Sequence, residues 1–160
     1  MELRTDRLRI RPLAADDAPA LQAITNDRAI TDAIDFLRHP FTLDDAKALI
    51  AANAAPGNLF HGIWRHADEL LIGLVGLHEH ESSETEIGYW IGALFWRRGY
   101  AREATGAVLA ELRARRSDIV VIAECRAENL VSWHILESLG FRSTGRAGAR
   151  PGRLRLRYSG

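Results

Sequence analysis

A short basic loop between a predicted strand and a predicted helix has the composition of a phosphate-binding site. Segment 86–104 begins as an apolar, aromatic run, breaks around Gly99 and continues with a helical pattern. The first turn of a helix presents backbone N–H groups that lack intrahelical acceptors, and the helix dipole adds partial positive charge there. Arg97, Arg98 and Arg102 add charged side chains, and the glycine lets the backbone approach a ligand. The segment therefore predicts a site for a phosphorylated cofactor.

The other residues that could do chemistry give weaker signals. Cys125 is the only cysteine, which excludes an intrachain disulfide, and it ends an apolar run that favours a buried small residue over a nucleophile. His78 and His80 share one face of a predicted strand, where they could bind a metal ion. Because no third ligand stands at a suggestive spacing, we predict no metal site.

The charge balance excludes some classes of partner. The chain has 160 residues, with 21 Lys and Arg against 21 Asp and Glu. A neutral chain lacks the field that attracts nucleic acid or an anionic membrane, so we expect neither as a partner. The first residues form no apolar signal segment, and no apolar run is long enough to span a bilayer. The expectation is a soluble, cytoplasmic protein with a single domain over residues 1–160.

The elements of the first third of the chain follow from hydrophobic periodicity. Alternation predicts a half-buried strand over 3–13, and the helical spacing of Ala18, Leu21 and Ile24 predicts a helix over 16–26. A capping box at Thr42 opens a second helix, which ends at 56–58. The segment 35–41 has no clear period, and we expect a loop that faces the substrate.

The rest of the chain continues as strands and two further helices. In order, they are strands 59–65, 70–80 and 85–91, a helix over 102–116, a buried strand 119–125, a helix between Asn129 and Gly140, and strands 141–144 and 154–158. Short turns, including 81–84, make the first three of these strands an antiparallel meander.

This order, β-α-α-β-β-β-α-β-α-β-β, predicts an α/β fold with a mixed sheet. The crossover from Ile87 to Cys125 should be right-handed and make its two strands parallel. A mainly antiparallel sheet that becomes parallel at one place must splay there. Ligands favour such places, at the carboxyl ends of parallel strands.

Three stretches of this chain together resemble the GCN5-related N-acetyltransferases (GNAT), and within them the ribosomal-protein N-terminal acetyltransferases of RimJ/RimL type. The stretches are Thr5–Leu13, then 71–77 with 86–91 and 96–104, and finally 128–132 with 136–141. The resemblance implies the GNAT fold, whose splayed sheet holds acetyl-CoA, the acyl-donor cosubstrate. The cofactor would lie in a V-shaped gap between the strand that ends near Ile91 and strand 119–125.

The resemblance also implies which residues bind the cofactor. They are Trp90 and Ile91 for the pantetheine arm through backbone groups, Arg97, Arg98, Gly99, Tyr100, Ala101 and Arg102 for the pyrophosphate, and Asn129 for the pantetheine. Ser132 would lie near the thioester sulfur. Without the resemblance, Asn129 and Ser132 would be assigned to the helix end alone.

Direct attack of an amine on a thioester needs a base for the ammonium proton and an acid for the leaving thiolate, but no covalent acyl-enzyme. Many relatives carry a tyrosine acid in the last of these stretches. This chain has Phe141 near that region and no tyrosine between Tyr100 and Tyr158. We therefore predict Ser132 as the acid.

Glu86 is the predicted base. A tight turn after Glu81 would place Glu86 opposite Glu79, where two carboxylates would raise one pKa; one extra residue would place it opposite His80. The alternatives are a solvated hairpin face and a base that acts through water.

The acceptor is an amine, either a protein N-terminus or a small molecule such as an antibiotic. The competing interpretation is a non-catalytic module that binds acyl-CoA. Segments 16–58 and 145–152 are expected to form the acceptor cleft. Asp35, Asp44 and Asp45 would favour a cationic substrate or only solvate helix ends. A homodimer is an open alternative.

Overall fold

The computed structural model describes residues 1–54, 57–80 and 84–160. The strands are β1 Leu3–Arg4, β2 Leu8–Pro12, β3 Asn58–Arg65, β4 Leu71–Glu79, β5 Glu84–Ile91, β6 Val120–Arg126, β7 Phe141–Ala147 and β8 Arg153–Tyr158. The helices are α1 Ala18–Thr25, α2 Arg28–Thr31, α3 Leu43–Ala51, α4 Tyr100–Arg115 and α5 Leu130–Ser138. Within the described ranges, no helix is both long and apolar enough to cross a bilayer.

The strands form one mixed sheet in the order β1-β2-β3-β4-β5-β6-β8-β7. Every neighbouring pair is antiparallel except β5 and β6, which are parallel. The predicted α/β class and mixed sheet are confirmed. As predicted, the parallel pair is joined by a crossover through a helix, α4.

The structure differs from the predicted elements in a few places. The first strand is divided into β1 and β2, and the short helix α2 was not predicted; the side chain of Asp27 caps it. The capping box at Thr42 is confirmed, and 35–41 lies outside helices and strands. Helix α3 ends at Ala51, before the predicted end at 56–58. Residues 55–56, and residues 81–83 of the predicted hairpin turn, lie outside the described residues.

Apolar side chains cover the two faces of the sheet as separate clusters. On one face, α4 and α5 pack against the sheet through fully buried residues such as Val108, Leu136, Phe141 and Leu156. On the other face, helices α1 and α3 cover β3, β4 and β5 around Leu21. Alternation along β5 sends Ile87 and Ile91 to the first cluster and Trp90 to the second.

Strands β5 and β6 pair over a short length and then separate. Their parallel register joins Glu84 to Val120, Thr85 to Val121 and Glu86 to Ile122. Beyond Glu86, β5 continues along β4 as far as Ile91, and β6 continues along β8 as far as Arg126. The sheet therefore forks after the Glu86–Ile122 pair, and we call this place the fork.

Gly73 allows the backbone of β5 to lie close to β4 beside the fork. A Cβ at this position would lie 2.5 Å from the carbonyl oxygen of Trp90 and 2.6 Å from Cδ1 of Ile91. Gly88, on β5 itself, has nothing within 4 Å of the corresponding Cβ position. Because Gly73 has no room for a methyl group and Gly88 has, the same glycine-to-alanine change at the two positions compares a crowded site with an open one.

We expect Gly73→Ala to lower the free energy of unfolding by about 1–3 kcal/mol, because the new methyl group must displace main-chain atoms of β5. Urea unfolding of both variants measures this. Gly88→Ala should leave the free energy of unfolding unchanged or slightly raised, since the strand has space for the methyl group. Equal stability of the two variants would contradict the close approach.

Candidate active site

The loop before α4 has the backbone conformation of an anion-binding turn. Gly99 is the N-cap residue of α4 with φ of 78°, and Arg97 also has a positive φ of 60°. The first main-chain hydrogen bond of the helix is donated by the Glu103 amide to the Gly99 carbonyl, at 3.1 Å. The amides that precede Glu103 are left over at the positive end of a 16-residue helix. This geometry can hold a phosphate group.

An arginine in the bend between β1 and β2 braces this loop. Arg7 donates from Nη1 to the carbonyl of Arg98 at 2.9 Å and from Nε to the carboxylate of Glu103 at 2.7 Å. Its guanidinium also lies over the ring of Tyr100, 4.7 Å from the centroid. The strand predicted over 3–13 gave no signal for this contact, which joins residues 91 positions apart in sequence.

The predicted phosphate-binding arginines lie on the exposed side of the loop. Arg97, Arg98 and Arg102 are all exposed, and Arg102 donates from Nε to Oγ of Ser138 at 3.1 Å. An open depression of about 570 Å³ beside the loop is lined in part by Gly99 and Arg102. The loop therefore combines backbone amides, positive charge and space.

Beyond the fork, β5 exposes one edge of its backbone. The hydrogen bonds from His80 N to Glu84 O (2.8 Å) and from Gly92 N to Ile72 O (2.9 Å) mark residues whose backbone groups face β4. Because this direction alternates, Trp90 also faces β4, whereas Tyr89 and Ile91 face the open side. The backbone groups of Trp90, predicted to contact the pantetheine arm, therefore face β4, and Tyr89 presents its backbone groups on the open side. Ile91 remains on the open edge.

The two tryptophans near this edge are held by hydrogen bonds. Trp90 is buried, and its Nε1 donates to Oγ1 of Thr25 at 3.2 Å. Trp96 is 47% exposed, and its Nε1 donates to the carbonyl of Ile91 at 2.6 Å. The indole N–H of Trp96 thus occupies the Ile91 carbonyl, one hydrogen-bond acceptor on the open edge of β5.

Glu86 lies at the fork, opposite His78 in the β4–β5 register. Both registers predicted from the sequence, with Glu86 opposite Glu79 or opposite His80, are therefore wrong. The observed hairpin pairs His80 with Glu84, which shifts the facing residue to His78. Glu86 therefore faces a histidine and not a second carboxylate in this register.

The carboxylate of Glu86 is buried and bound on both oxygens. The residue is 6% exposed; Oε1 accepts from Nη2 of Arg150, and Oε2 lies 3.3 Å from Nε2 of His80. Arg150 comes from the loop between β7 and β8, so it connects this loop with the fork. A buried carboxylate with charged partners is a candidate catalytic group.

A second buried carboxylate completes this network. Glu124 of β6 accepts from Nε of Arg150 at 2.9 Å and from the backbone amides of Ala149 and Arg150. Burial would raise the pKa of Glu124, but these hydrogen bonds hold it below its usual value. For Arg150, burial acts to lower the pKa, but the two carboxylate partners, Glu124 and Glu86, raise it above its usual value. The guanidinium therefore stays charged between Glu86 and Glu124.

The histidines of β4 take different partners. Nδ1 of His78 lies 2.7 Å from Oδ1 of Asn58, and burial lowers the pKa of His78, with Glu86 opposing that shift. Across the described part of the chain, no three His, Cys, Asp or Glu side chains are grouped as a metal site would need. Cys125 is buried and its pKa is raised by burial, as expected of a structural residue.

The start of α5 contains Asn129 and Ser132, the residues expected to lie near the pantetheine and the thioester sulfur. Asn129 caps the helix by accepting from the Ser132 amide at 3.1 Å, so the helix-end role considered for it is present. Tyr89 reaches the same turn and donates its hydroxyl to the Ser132 carbonyl at 3.5 Å. Burial raises the pKa of Tyr89, which keeps the phenol protonated. Sequence reasoning looked for a tyrosine after Tyr100 and missed this one on β5.

The first of the two segments expected to form the acceptor cleft, 16–58, contacts the end of β6 and the start of β8 through Asp35. Asp35 of the segment 35–41 accepts from Nη2 of Arg126 and from Nε of Arg153, each at 2.6 Å. Burial acts to raise the pKa of Asp35, but the hydrogen bonds and charges of Arg153 and Arg126 lower it below the usual value. Asp45 is used in the capping box at Thr42. Asp35 and Asp45 are therefore engaged within the protein, which weakens the expectation of a cationic subsite made from them.

Comparison with known proteins agrees with this geometry. The family described as "Acetyltransferase (GNAT) domain" matches residues 7–142. An uncharacterized N-acetyltransferase, YnaD of Bacillus subtilis strain 168, is 29% identical over 150 residues, covering 91% of this chain and 85% of the relative.

Solved structures show the same fold. A GNAT-family acetyltransferase from Bacillus anthracis has a TM-score of 0.86 at 24% identity, covering 98% of this chain and 97% of the other. RimL, the ribosomal L7/L12 α-N-protein acetyltransferase solved with coenzyme A, has a TM-score of 0.83 at 17% identity, covering 98% and 96%.

The family match extends over most of the chain, and the relatives it resembles are named N-acetyltransferases. The phosphate-binding geometry before α4 and the open edge of β5 provide the two features that a coenzyme A thioester needs. This protein belongs to the GNAT family and is an acetyl-CoA-dependent N-acetyltransferase.

Proposed function

We propose that the enzyme acetylates the α-amine of a polypeptide N-terminus, with Glu86 as the base. The observation that carries the proposal is the burial of the Glu86 carboxylate at the fork, beside the open edge of β5. The amine attacks the thioester carbonyl carbon, the ammonium proton passes to Glu86, and the carbon–sulfur bond breaks. The thiolate takes a proton from the Ser132 hydroxyl, which regains one from water, and Glu86 returns its proton to water.

Backbone geometry supports the assignment of the cofactor residues. The amides of Gly99, Tyr100, Ala101 and Arg102 would bind the pyrophosphate, with charge from Arg97 and Arg98. Tyr89 and Ile91 would pair with the pantetheine arm, in place of the pair Trp90 and Ile91 expected from the sequence. Asn129 would lie near the arm while it caps α5.

The contacts of Glu86 suggest how an acceptor is received. Arg150 places one cation against Oε1, and a substrate ammonium is also a cation. The ammonium would replace this guanidinium, while His80 keeps its contact with Oε2 and Glu124 retains Arg150. The base then has one oxygen directed at the proton that it must accept.

The structural similarity to RimL, the ribosomal L7/L12 α-N-protein acetyltransferase, supports a polypeptide acceptor over a small molecule.

We expect Glu86→Gln to lower kcat by about 10²- to 10⁴-fold, because the amide cannot accept the ammonium proton. Thiol release from acetyl-CoA, measured with a set of peptides that have free N-termini and a set of free small amines, gives kcat. Glu84→Gln is the matched control, since Glu84 lies two residues away on the same strand and binds Arg155. Equal losses in both variants would remove Glu86 from the reaction. Turnover with small amines alone would exclude the polypeptide acceptor.

We expect Gly99→Val to abolish measurable binding of acetyl-CoA, because the branched side chain is strained at a φ of 78° and fills the space of the pyrophosphate. Isothermal titration calorimetry measures the binding. Gly152→Val carries similar strain at a φ of 72° in the β7–β8 loop and controls for it. Normal binding by the Gly99 variant would contradict the loop assignment.

We expect Ser132→Ala to lower kcat by about 10²-fold or more and to leave the KM for acetyl-CoA unchanged, because only the proton donor is lost. Tyr89→Phe, measured in parallel, tests the neighbouring hydroxyl. A loss of kcat in the tyrosine variant alone would move the acid to Tyr89. Equal changes in kcat and KM would make Ser132 a binding contact.

A further inference from the structure

The β7–β8 hairpin contains six arginines, more than the ion pairs of the fork and the acceptor side use. From Ser138 to Gly160 the chain has no acidic residue and no lysine, and its arginines are Arg142, Arg146, Arg150, Arg153, Arg155 and Arg157. Three of these bind carboxylates of the fork and the acceptor side: Arg150, Arg153 and Arg155. The excess positive charge is therefore in the other three.

Arg142, Arg146 and Arg157 have no carboxylate within 4 Å among the residues that the structure describes. All three are exposed. Arg142 donates from Nη1 to the carbonyls of Glu137 and Phe141, at 3.2 and 2.9 Å, which fixes the side chain without neutralising its charge. We call Arg142, Arg146 and Arg157 the hairpin arginines.

Two of the hairpin arginines are directly opposite each other in the β7–β8 register, as the pair Arg142–Arg157. Like charges at facing positions of an antiparallel pair are destabilising. An anion that lies between or above them removes this repulsion. The arrangement thus favours a negatively charged ligand.

The register connects this pair with the proposed base. Arg157 pairs with Ile122, and Ile122 pairs with Glu86, so the four residues form one transverse row with Arg142 at its end. Residues that face each other across a register share one side of the sheet. Strands are about 4.8 Å apart, so Arg157 lies roughly 10 Å and Arg142 roughly 14 Å from Glu86 along the row.

We propose that the hairpin arginines bind an acidic segment of the acceptor polypeptide while its α-amine lies at Glu86. This inference rests on the proposed function and narrows its substrate class. An extended chain advances about 3.3 Å per residue, so the acidic side chains would be about three to five residues from the N-terminus. Arg157, which makes no side-chain hydrogen bond within the described residues, would be the main anchor.

The test uses synthetic peptides with free N-termini and a fluorophore near the C-terminus. Three peptides differ only at the third to fifth positions, which are glutamate, glutamine or lysine. Fluorescence anisotropy in the presence of coenzyme A gives binding, and thiol release from acetyl-CoA gives acetylation. A single-stranded oligonucleotide of equal net charge serves as the competing polyanion.

We expect the glutamate peptide to bind about tenfold more tightly than the glutamine peptide, and salt to reduce the difference. Arg157→Gln should remove most of this preference, and Arg157→Lys should keep part of it. Arg116→Gln is the matched control, since Arg116 is exposed at the end of α4 and its loss changes the net charge equally. All variants should retain the wild-type melting temperature and acetyl-CoA binding.

Equal binding of the glutamate and glutamine peptides, or equal effects of the Arg157 and Arg116 substitutions, would overturn the inference. Tighter, Arg157-dependent binding of the oligonucleotide would overturn it as well, because the surface would then serve nucleic acid. Acidic peptides that bind through Arg157 but are never acetylated would support the surface and refute the proposed α-amine acceptor.

Discussion

The active site depends on the short pairing between β5 and β6. Three residue pairs join these strands, and the last is Glu86 with Ile122. If the pairing continued, β6 would occupy the edge of Tyr89 and Ile91, and no strand edge would remain for the pantetheine arm that we propose to pair there. If the pairing were absent, the two halves of the sheet would lose their direct connection. The fork therefore combines continuity of the fold with an open backbone edge.

Charged side chains hold together the region where the strands separate. Arg150 connects Glu86 of β5 with Glu124 of β6, and Asp35 connects the loop before α3 with Arg126 and Arg153. Helices α1 and α3 cover the sheet through apolar contacts. Around Asp35, Glu86 and Glu124, where we propose the acceptor binds, the contacts are ion pairs. Buried ion pairs contribute little net stability because desolvation opposes the attraction. In the reaction proposed above, their value would be that ionic contacts can be exchanged for a charged substrate.

Local sequence signals were sufficient to predict most of the fold. The alternation in β2, the capping box at Thr42 and the glycine before α4 each specify structure within a few residues. The mixed sheet followed because a helical crossover makes its strands parallel. The unpredicted elements were short: the division of β1 from β2 depends on contacts with α4, and α2 has only four residues.

The site was less predictable because it depends on register and on distant contacts. A one-residue shift exchanges the directions of successive backbone groups, which is why Trp90 was chosen where Tyr89 faces the open edge. Arg150 reaches Glu86 across 64 positions of sequence, and no local pattern indicates such a pair. The helix starts at Gly99 and Asn129 were predictable because capping defines their geometry locally, whereas their contacts with the cofactor stay a prediction.

The bracing of the phosphate loop by Arg7 couples the beginning of the chain to the cofactor. Arg7 holds the Arg98 carbonyl and the Glu103 carboxylate, so the loop has its observed shape only while β1 and β2 are docked. Binding linkage is reciprocal, so a cofactor that selects this loop shape also favours docking of the N-terminal strands. If the loop holds the pyrophosphate as proposed, the segment that joins β1 to β2 is a structural part of the cofactor site, although it lies outside the loop.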